Sequence, residues 1–150
     1  MNGLVRSLAA LAIVAAVTSP AAAQAPAPAG HIKTVSGTAL IVREHGTTTA
    51  KPGDPIYATD TLRTAPDSTV GVTLQDDTRV SLGPNSEMKV DRYVYSPGEG
   101  GFGMVLQFVR GVAVYISGRM AKLAPDSVRL ETPSAIVGVR GTTVAIRVGV

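Results

Sequence analysis

The hydrophobic positions recur with a period of two through most of the chain. Val70, Val72 and Leu74 point one way and Gly71, Thr73 and Gln75 the other; Asp76-Asp77-Thr78 then forms a polar turn, and Val80 and Leu82 resume the inward face. Two apolar-alternating runs joined by a short polar turn predict a β-hairpin. Met104, Leu106 and Phe108 alternate with Val105, Gln107 and Val109, and Val112, Val114 and Ile116 follow after Gly111. Near the end, Val144, Ile146 and Val148 alternate with Ala145, Arg147 and Gly149.

Turn-forming clusters separate the runs: Pro52-Gly53-Asp54-Pro55, Pro66-Asp67-Ser68, Gly83-Pro84-Asn85-Ser86, Pro97-Gly98, Pro125-Asp126-Ser127 and Thr132-Pro133-Ser134. Short strands with frequent turns predict an all-β single domain, a twisted two-layer sandwich or β-roll. One stretch, 117–124 (SGRMAKLA), lacks alternation and reads equally as a helical turn or two or as a loop. Three segments share a V-x-G-[TV]-x-aliphatic form: Val35-Ser36-Gly37-Thr38, Val109-Arg110-Gly111-Val112 and Val139-Arg140-Gly141-Thr142. Glycine within a strand pattern marks a bulge or sharp bend, and the irregular spacing makes these three similar bends rather than an array of repeats.

The first residues read differently. Arg6 precedes an apolar run at 8–17, Thr18-Ser19-Pro20 breaks it, and Ala21-Ala22-Ala23 is followed by Gln24. A positive start, a short apolar centre and an A-x-A site predict a cleavable secretory signal peptide over 1–23, and hence an exported protein with no membrane span in its mature form. No cysteine follows the run, so there is no thiol for a lipoprotein anchor. Residues 24–30 (QAPAPAG) alternate Ala and Pro, form an extended linker, and place the start of the folded domain at 31–150.

Composition narrows the chemistry. A hydrophobic share of 45% over 150 residues supports one modest core. The absence of cysteine excludes thiol redox catalysis and thiolate metal sites. Net charge is +3, falling to +2 once Arg6 leaves with the signal peptide, and the scattered basic residues form no run; no nucleic-acid partner is implied.

Few residues assemble into chemistry. Asp76-Asp77 is the one adjacent carboxylate pair and reads as a solvated hairpin tip. His31 borders the linker and His45 precedes Gly46 at a turn, which makes neither a zinc ligand nor a triad base. Residues 98–103 imitate a G-x-G-x-x-G loop, yet a strand-like run follows where phosphate binding needs a helix N-terminus. No catalytic residue, metal site or cofactor is implied, and the chain reads as non-enzymatic. Tyr93 and Tyr95 share a strand face with Lys89 and Asp91 by parity, opposite Met88, Val90 and Val94. They read either as a cross-strand aromatic pair or as a surface that stacks on sugar or clamps an extended peptide.

The succession Gly53-Asp54, Thr61-Leu62-Arg63-Thr64, Ser68, Val70-x-Val72-x-Leu74, Asp76 and Val80-x-Leu82-x-Pro84-x-Ser86 resembles the periplasmic FecR domain. So does the later succession Gly111-Val112, Thr132-Pro133-Ser134-Ala135 and Val139-Arg140-Gly141-Thr142. The family's namesake is a bacterial regulator that relays ferric-citrate signals, so the resemblance implies a periplasmic β-domain that binds or scaffolds an envelope protein, with a signalling role among its uses. Asp77 stands where the family often has Gly. Members commonly continue with further strands after the Val-Arg-Gly-Thr stretch, so either the domain is minimal or an edge strand is left open, and an open edge invites pairing with another chain. The alternative is a cell-wall or polysaccharide-binding module using Tyr93 and Tyr95. Within the family-like stretch, Arg140, Gly141 and Thr142 are candidate binding or structural residues. Arg140 is expected to fork onto loop carbonyls or onto Glu131 or Asp60, or else to face an acidic partner.

Overall fold

A computed structural model describes residues 18–22 and 25–149; the apolar run expected to be a signal-peptide core and the expected cleavage site at 23–24 lie outside the described residues. Among the described residues the fold is all-β, with twelve strands and one short α-helix. The strands are β1 (Gly30–Ser36), β2 (Ala39–Arg43), β3 (Gly46–Thr49), β4 (Pro55–Ile56), β5 (Thr61–Thr64), β6 (Thr69–Leu74), β7 (Arg79–Leu82), β8 (Glu87–Ser96), β9 (Gly101–Ile116), β10 (Val128–Glu131), β11 (Ile136–Gly138) and β12 (Thr143–Val148). The helix α1 (Arg119–Leu123) fills part of the stretch that reads as helix or loop. The folded part starts slightly before His31: Ala29 is buried, and its N–H donates to the Ile56 carbonyl.

The strands form one continuous sheet that folds over on itself along β9. Sheet I runs β4-β1-β6-β7-β9-β12 and uses residues 111–116 of β9. Sheet II runs β3-β2-β5-β8-β9-β10-β11 and uses residues 101–110. All pairings are antiparallel except β9 with β10. One apolar core lies inside the fold, drawing Ile32, Val72, Leu82 and Tyr115 from sheet I and Ile41, Leu62, Met88 and Leu106 from sheet II.

Each of the three V-x-G bends lies where the chain crosses from one sheet to the other: β1 to β2 at Gly37, within β9 at Gly111, and β11 to β12 at Gly141. All three glycines have positive φ, at 75°, 86° and 65°, a region open to glycine at little cost. In each, the N–H of the next residue donates to a serine hydroxyl from another turn. Thr38 reaches Ser68 Oγ at 2.9 Å, Val112 reaches Ser86 Oγ at 2.9 Å, and Thr142 reaches Ser117 Oγ at 3.1 Å. A corner interrupts the ladder and leaves backbone donors unpaired, and the serines satisfy them.

Two predicted phases shift. Ala113 and Tyr115, not Val112, Val114 and Ile116, face the core; Val114 and Ile116 are exposed. An extra residue in β9 between the Glu87–Arg110 and Met88–Phe108 pairs, followed by the crossing at Gly111, inverts the parity set by Met104, Leu106 and Phe108. A second bulge inserts Asp91 into β8, between the Val90–Leu106 and Arg92–Val105 pairs. It turns Tyr93 and Tyr95 away from the face of Lys89 and toward the core, and leaves Val94 exposed.

Candidate functional site

Tyr93 and Tyr95 therefore do not sit on the polar face that simple alternation gives them. Tyr93 stands opposite Met104 and is half-buried; Tyr95 stands opposite Phe102, their ring centroids 6.2 Å apart and tilted by 54°. With Tyr57 they still line a cleft of about 680 Å³, walled on one side by Pro26, Ala27 and Pro28.

The Tyr93 hydroxyl is committed elsewhere. It donates to Asp76 Oδ1 at 2.9 Å and accepts the Asp76 N–H at 2.9 Å. Asp76 is not part of a solvated tip: it is fully buried, and only Asp77 is exposed. Its carboxylate also accepts the Thr78 N–H and hydroxyl, at 3.3 and 2.7 Å, and the Met120 N–H at 3.1 Å. The Arg119 N–H donates to the Asp76 carbonyl at 2.7 Å, and the Gly118 N–H donates to Thr78 Oγ1 at 3.2 Å. One buried carboxylate thus ties the β6–β7 turn to β8 and to the entry of α1. The turn is buried because the segment at residues 118–120 lies across it; a Cβ on Gly118 would strike the Asp76 carbonyl and the Thr78 nitrogen. An Asx turn, in which Asp accepts from the N–H two residues on, is the local signal that marks Asp76-x-Thr78. Asp77 has φ 67°, in the left-handed region that glycine, and Asp more readily than most side chains, adopts.

Burial, and then the Asp76 charge, push the Tyr93 phenol above its ordinary range, and burial does the same to Tyr115, whose hydroxyl has no hydrogen-bond partner among the described residues. A phenol held neutral in the fold but free to ionise in the unfolded chain binds its proton more tightly when native. Its stabilisation is complete below the unfolded-chain value of about 10 and is lost as pH rises beyond it. Urea midpoints are therefore expected to hold steady to about pH 10 and fall above it. Phenolate absorbance from Tyr93 and Tyr115 should emerge together with loss of the β-sheet circular dichroism signal.

Arg140 occupies neither of its expected structural places. Its side chain is 82% exposed, and its guanidinium stands 3.8 Å from the equally exposed Asp126. It adjoins a cleft shared with Arg129, Ile136, Gly138 and Thr142. Asp60 is instead held by Arg43, whose Nε and Nη2 make three contacts of 3.0–3.1 Å to its carboxylate. Arg43 also donates to the Pro55 carbonyl and lies 5.3 Å from the Tyr57 ring centroid. Glu131 accepts from Gln107 and faces Arg129. The corner sends Arg140 outward because Gly141 turns the chain at the surface: nothing lies within 4 Å of a Cβ built on it. Arg140→Ala is accordingly expected to leave the Tm within about 4 °C, since an exposed ion pair contributes about 0–1 kcal/mol. Arg43→Ala, which strands the buried Asp60, should lower it clearly in the same melt.

β12 pairs with β9 on one side only, and its other side carries no strand among the described residues. Thr143, Ala145 and Arg147 are exposed, while Val144, Ile146 and Val148 pack partly on the core. On the outer face of sheet I a groove of about 450 Å³ runs across the strands, from Thr34 on β1 past Gly71 and Ser81 to Val114, Ala145 and Arg147. No helix among the described residues is long and apolar enough to cross a membrane.

No curated protein and no solved structure matches the chain. The family model described as FecR protein matches residues 60–149, from the buried Asp60 through β12, and leaves the β1–β4 segment outside it. That span takes in the Asp76 network, the crossings at Gly111 and Gly141 and the open edge, and by it the chain belongs to the FecR family.

Proposed function

We propose that this domain is a non-enzymatic protein-binding or scaffolding module of the bacterial periplasm, serving envelope signalling, which captures a partner along β12. FecR domains are known from envelope signalling regulators. The observation that carries the reading is the six-residue strand Thr143–Val148, one ladder side of which pairs with no strand among the described residues. Such an edge offers alternate N–H and C=O groups to an extended segment of another chain, while the side chains on either face set specificity. Export through the signal peptide over 1–23 brings the domain to that compartment. The test is a crosslinking capture from the periplasm, followed by amide hydrogen exchange on the isolated complex. Alternate amides of residues 143–148 should gain protection. A partner bound with those amides unchanged would defeat the edge reading.

The cleft of Tyr57, Tyr93 and Tyr95 supports a second reading, as a cell-wall or polysaccharide-binding module. The Tyr95 ring, whose hydroxyl makes no hydrogen bond within the described residues, would be the stacking platform. Binding of purified peptidoglycan fragments that disappears in Tyr95→Ala, with the β12 amides unprotected, would favour it over the first.

A further inference from the structure

The six strands of sheet I contain His31, Lys33, Arg79 and Arg147 and not one Asp or Glu. Sheet II differs: Glu87, Asp91 and Glu131 lie on its strands and pair with Arg63, Arg110, Lys89 and Arg129. Lys33, Arg79 and Arg147 are exposed, and none makes an ion pair among the described residues. A chain of nearly balanced charge thus has one sheet whose strands carry basic charge alone.

The groove crosses the outer face of this sheet. Strand pairing aligns its floor in one row, Thr34–Gly71–Ser81–Val114–Ala145, small or apolar throughout. Gly71 keeps its floor open, because a Cβ there would meet Thr34 Oγ1 at 2.5 Å. Lys33 stands beside the β1 end of the row, Arg147 beside the β12 end, and Arg79 along its flank. The lining contains no aromatic ring on which a sugar would stack. From β1 to β12 is four strand spacings, about 19 Å, the length of about six residues of extended chain.

We infer that the outer face of sheet I docks an acidic extended segment of a partner protein, one that lies across the strands with small or apolar residues over Ser81 and Val114 and carboxylates about six residues apart facing Lys33 and Arg147. The inference rests on the protein-binding reading and names the chemistry of the partner. Exposed cations that make no ion pair among the described residues, on strands that carry no acid, make a positive field that an acidic segment satisfies, and the field steers its approach.

Fluorescence anisotropy on the whole protein tests it, using a labelled peptide with two glutamates about six residues apart and Ala, Ser and Val between. A matched peptide carries glutamine in place of glutamate, and polygalacturonate is the glycan probe. The glutamate peptide should bind, the glutamine peptide at least about fivefold more weakly, and binding should weaken as salt screens the charges. Lys33→Glu combined with Arg147→Glu should abolish binding at unchanged Tm, because both side chains are exposed. Ser81→Trp, which fills the groove, should do the same without changing charge. Equal binding of the two peptides, indifference to the double reversal, or tighter binding of polygalacturonate than of the peptide would each overturn the inference. The two readings fail separately: a captured partner that protects the β12 amides, beside a glutamate peptide that does not bind, removes the acidic partner and leaves the edge.

Discussion

Asp76→Ala is expected to cost about 3–5 kcal/mol, enough to bring a domain of ordinary stability close to its unfolding threshold. The carboxylate is fully buried and takes four hydrogen bonds, from the Thr78 N–H, the Thr78 hydroxyl, the Tyr93 hydroxyl and the Met120 N–H. Two of those donors are hydroxyls that can rotate to other acceptors. The other two are backbone N–H groups, which no side-chain change can remove and which the segment over the turn shields from water. An apolar replacement therefore cannot be neutral here, although buried ionic groups elsewhere sometimes give way to apolar ones at no loss. Asp76→Asn keeps the shape and one acceptor and should cost about 1–2 kcal/mol. Tyr93→Phe removes one donor to the carboxylate and the acceptor of the Asp76 N–H, for a similar loss. Combined with Asp76→Ala it should cost less than the sum, because both changes break the bond from the Tyr93 hydroxyl to the Asp76 carboxylate. Urea denaturation of the three single and double variants measures this. An Asp76→Ala midpoint corresponding to a loss under 1 kcal/mol would show that the turn is held by packing alone.

Asp76 also marks where the sequence stops being legible. Val70, Val72, Leu74, Val80 and Leu82 read correctly as inward because period two needs only local information. Asp76 reads as surface because a carboxylate in a turn is usually solvated, and what covers it is a segment some forty residues later in the chain. The Tyr93 error is of another kind. One inserted residue, Asp91, exchanges the two faces of the rest of β8, and no propensity of Asp announces it. Arg140 fails for a third reason: a corner whose glycine has φ 65° and open space around it turns its neighbours outward, whereas Arg43, in an unremarkable strand, meets a buried acid brought from the β4–β5 turn. The basic charge of sheet I was equally hidden. Its cations are spread from Lys33 to Arg147 in the chain and gather only once strand order is known.

The V-x-G corners were visible as a recurrence, yet their energetic ranking depends on neighbours the motif does not contain. Alanine at all three positions adds the cost of a left-handed backbone, about 1–2 kcal/mol. At Gly141 that is the whole expected effect, since nothing lies within 4 Å of the new Cβ. At Gly37 the Cβ meets the Ser68 side chain, with the Ser68 Cα at 3.2 Å. The hydroxyl can swing away, but it then releases the Thr38 N–H it now accepts. At Gly111 the obstacles include backbone: Ser86 Cα at 2.6 Å and the Asn85 carbonyl at 2.7 Å. Relief there would require moving the β7–β8 turn, where Ser86 also bonds the Val112 carbonyl and Thr64 Oγ1 accepts the Ser86 N–H. The expected order of destabilisation is Gly111→Ala, about 4 kcal/mol or more, then Gly37→Ala, then Gly141→Ala at about 1–2 kcal/mol. Thermal melts of the three variants measure the order, and Gly111→Ala should remain largely unfolded at growth temperature. Equal losses at the three sites would mean that backbone conformation alone sets the cost; a stable Gly111→Ala would mean that β9 does not cross between the sheets at residue 111.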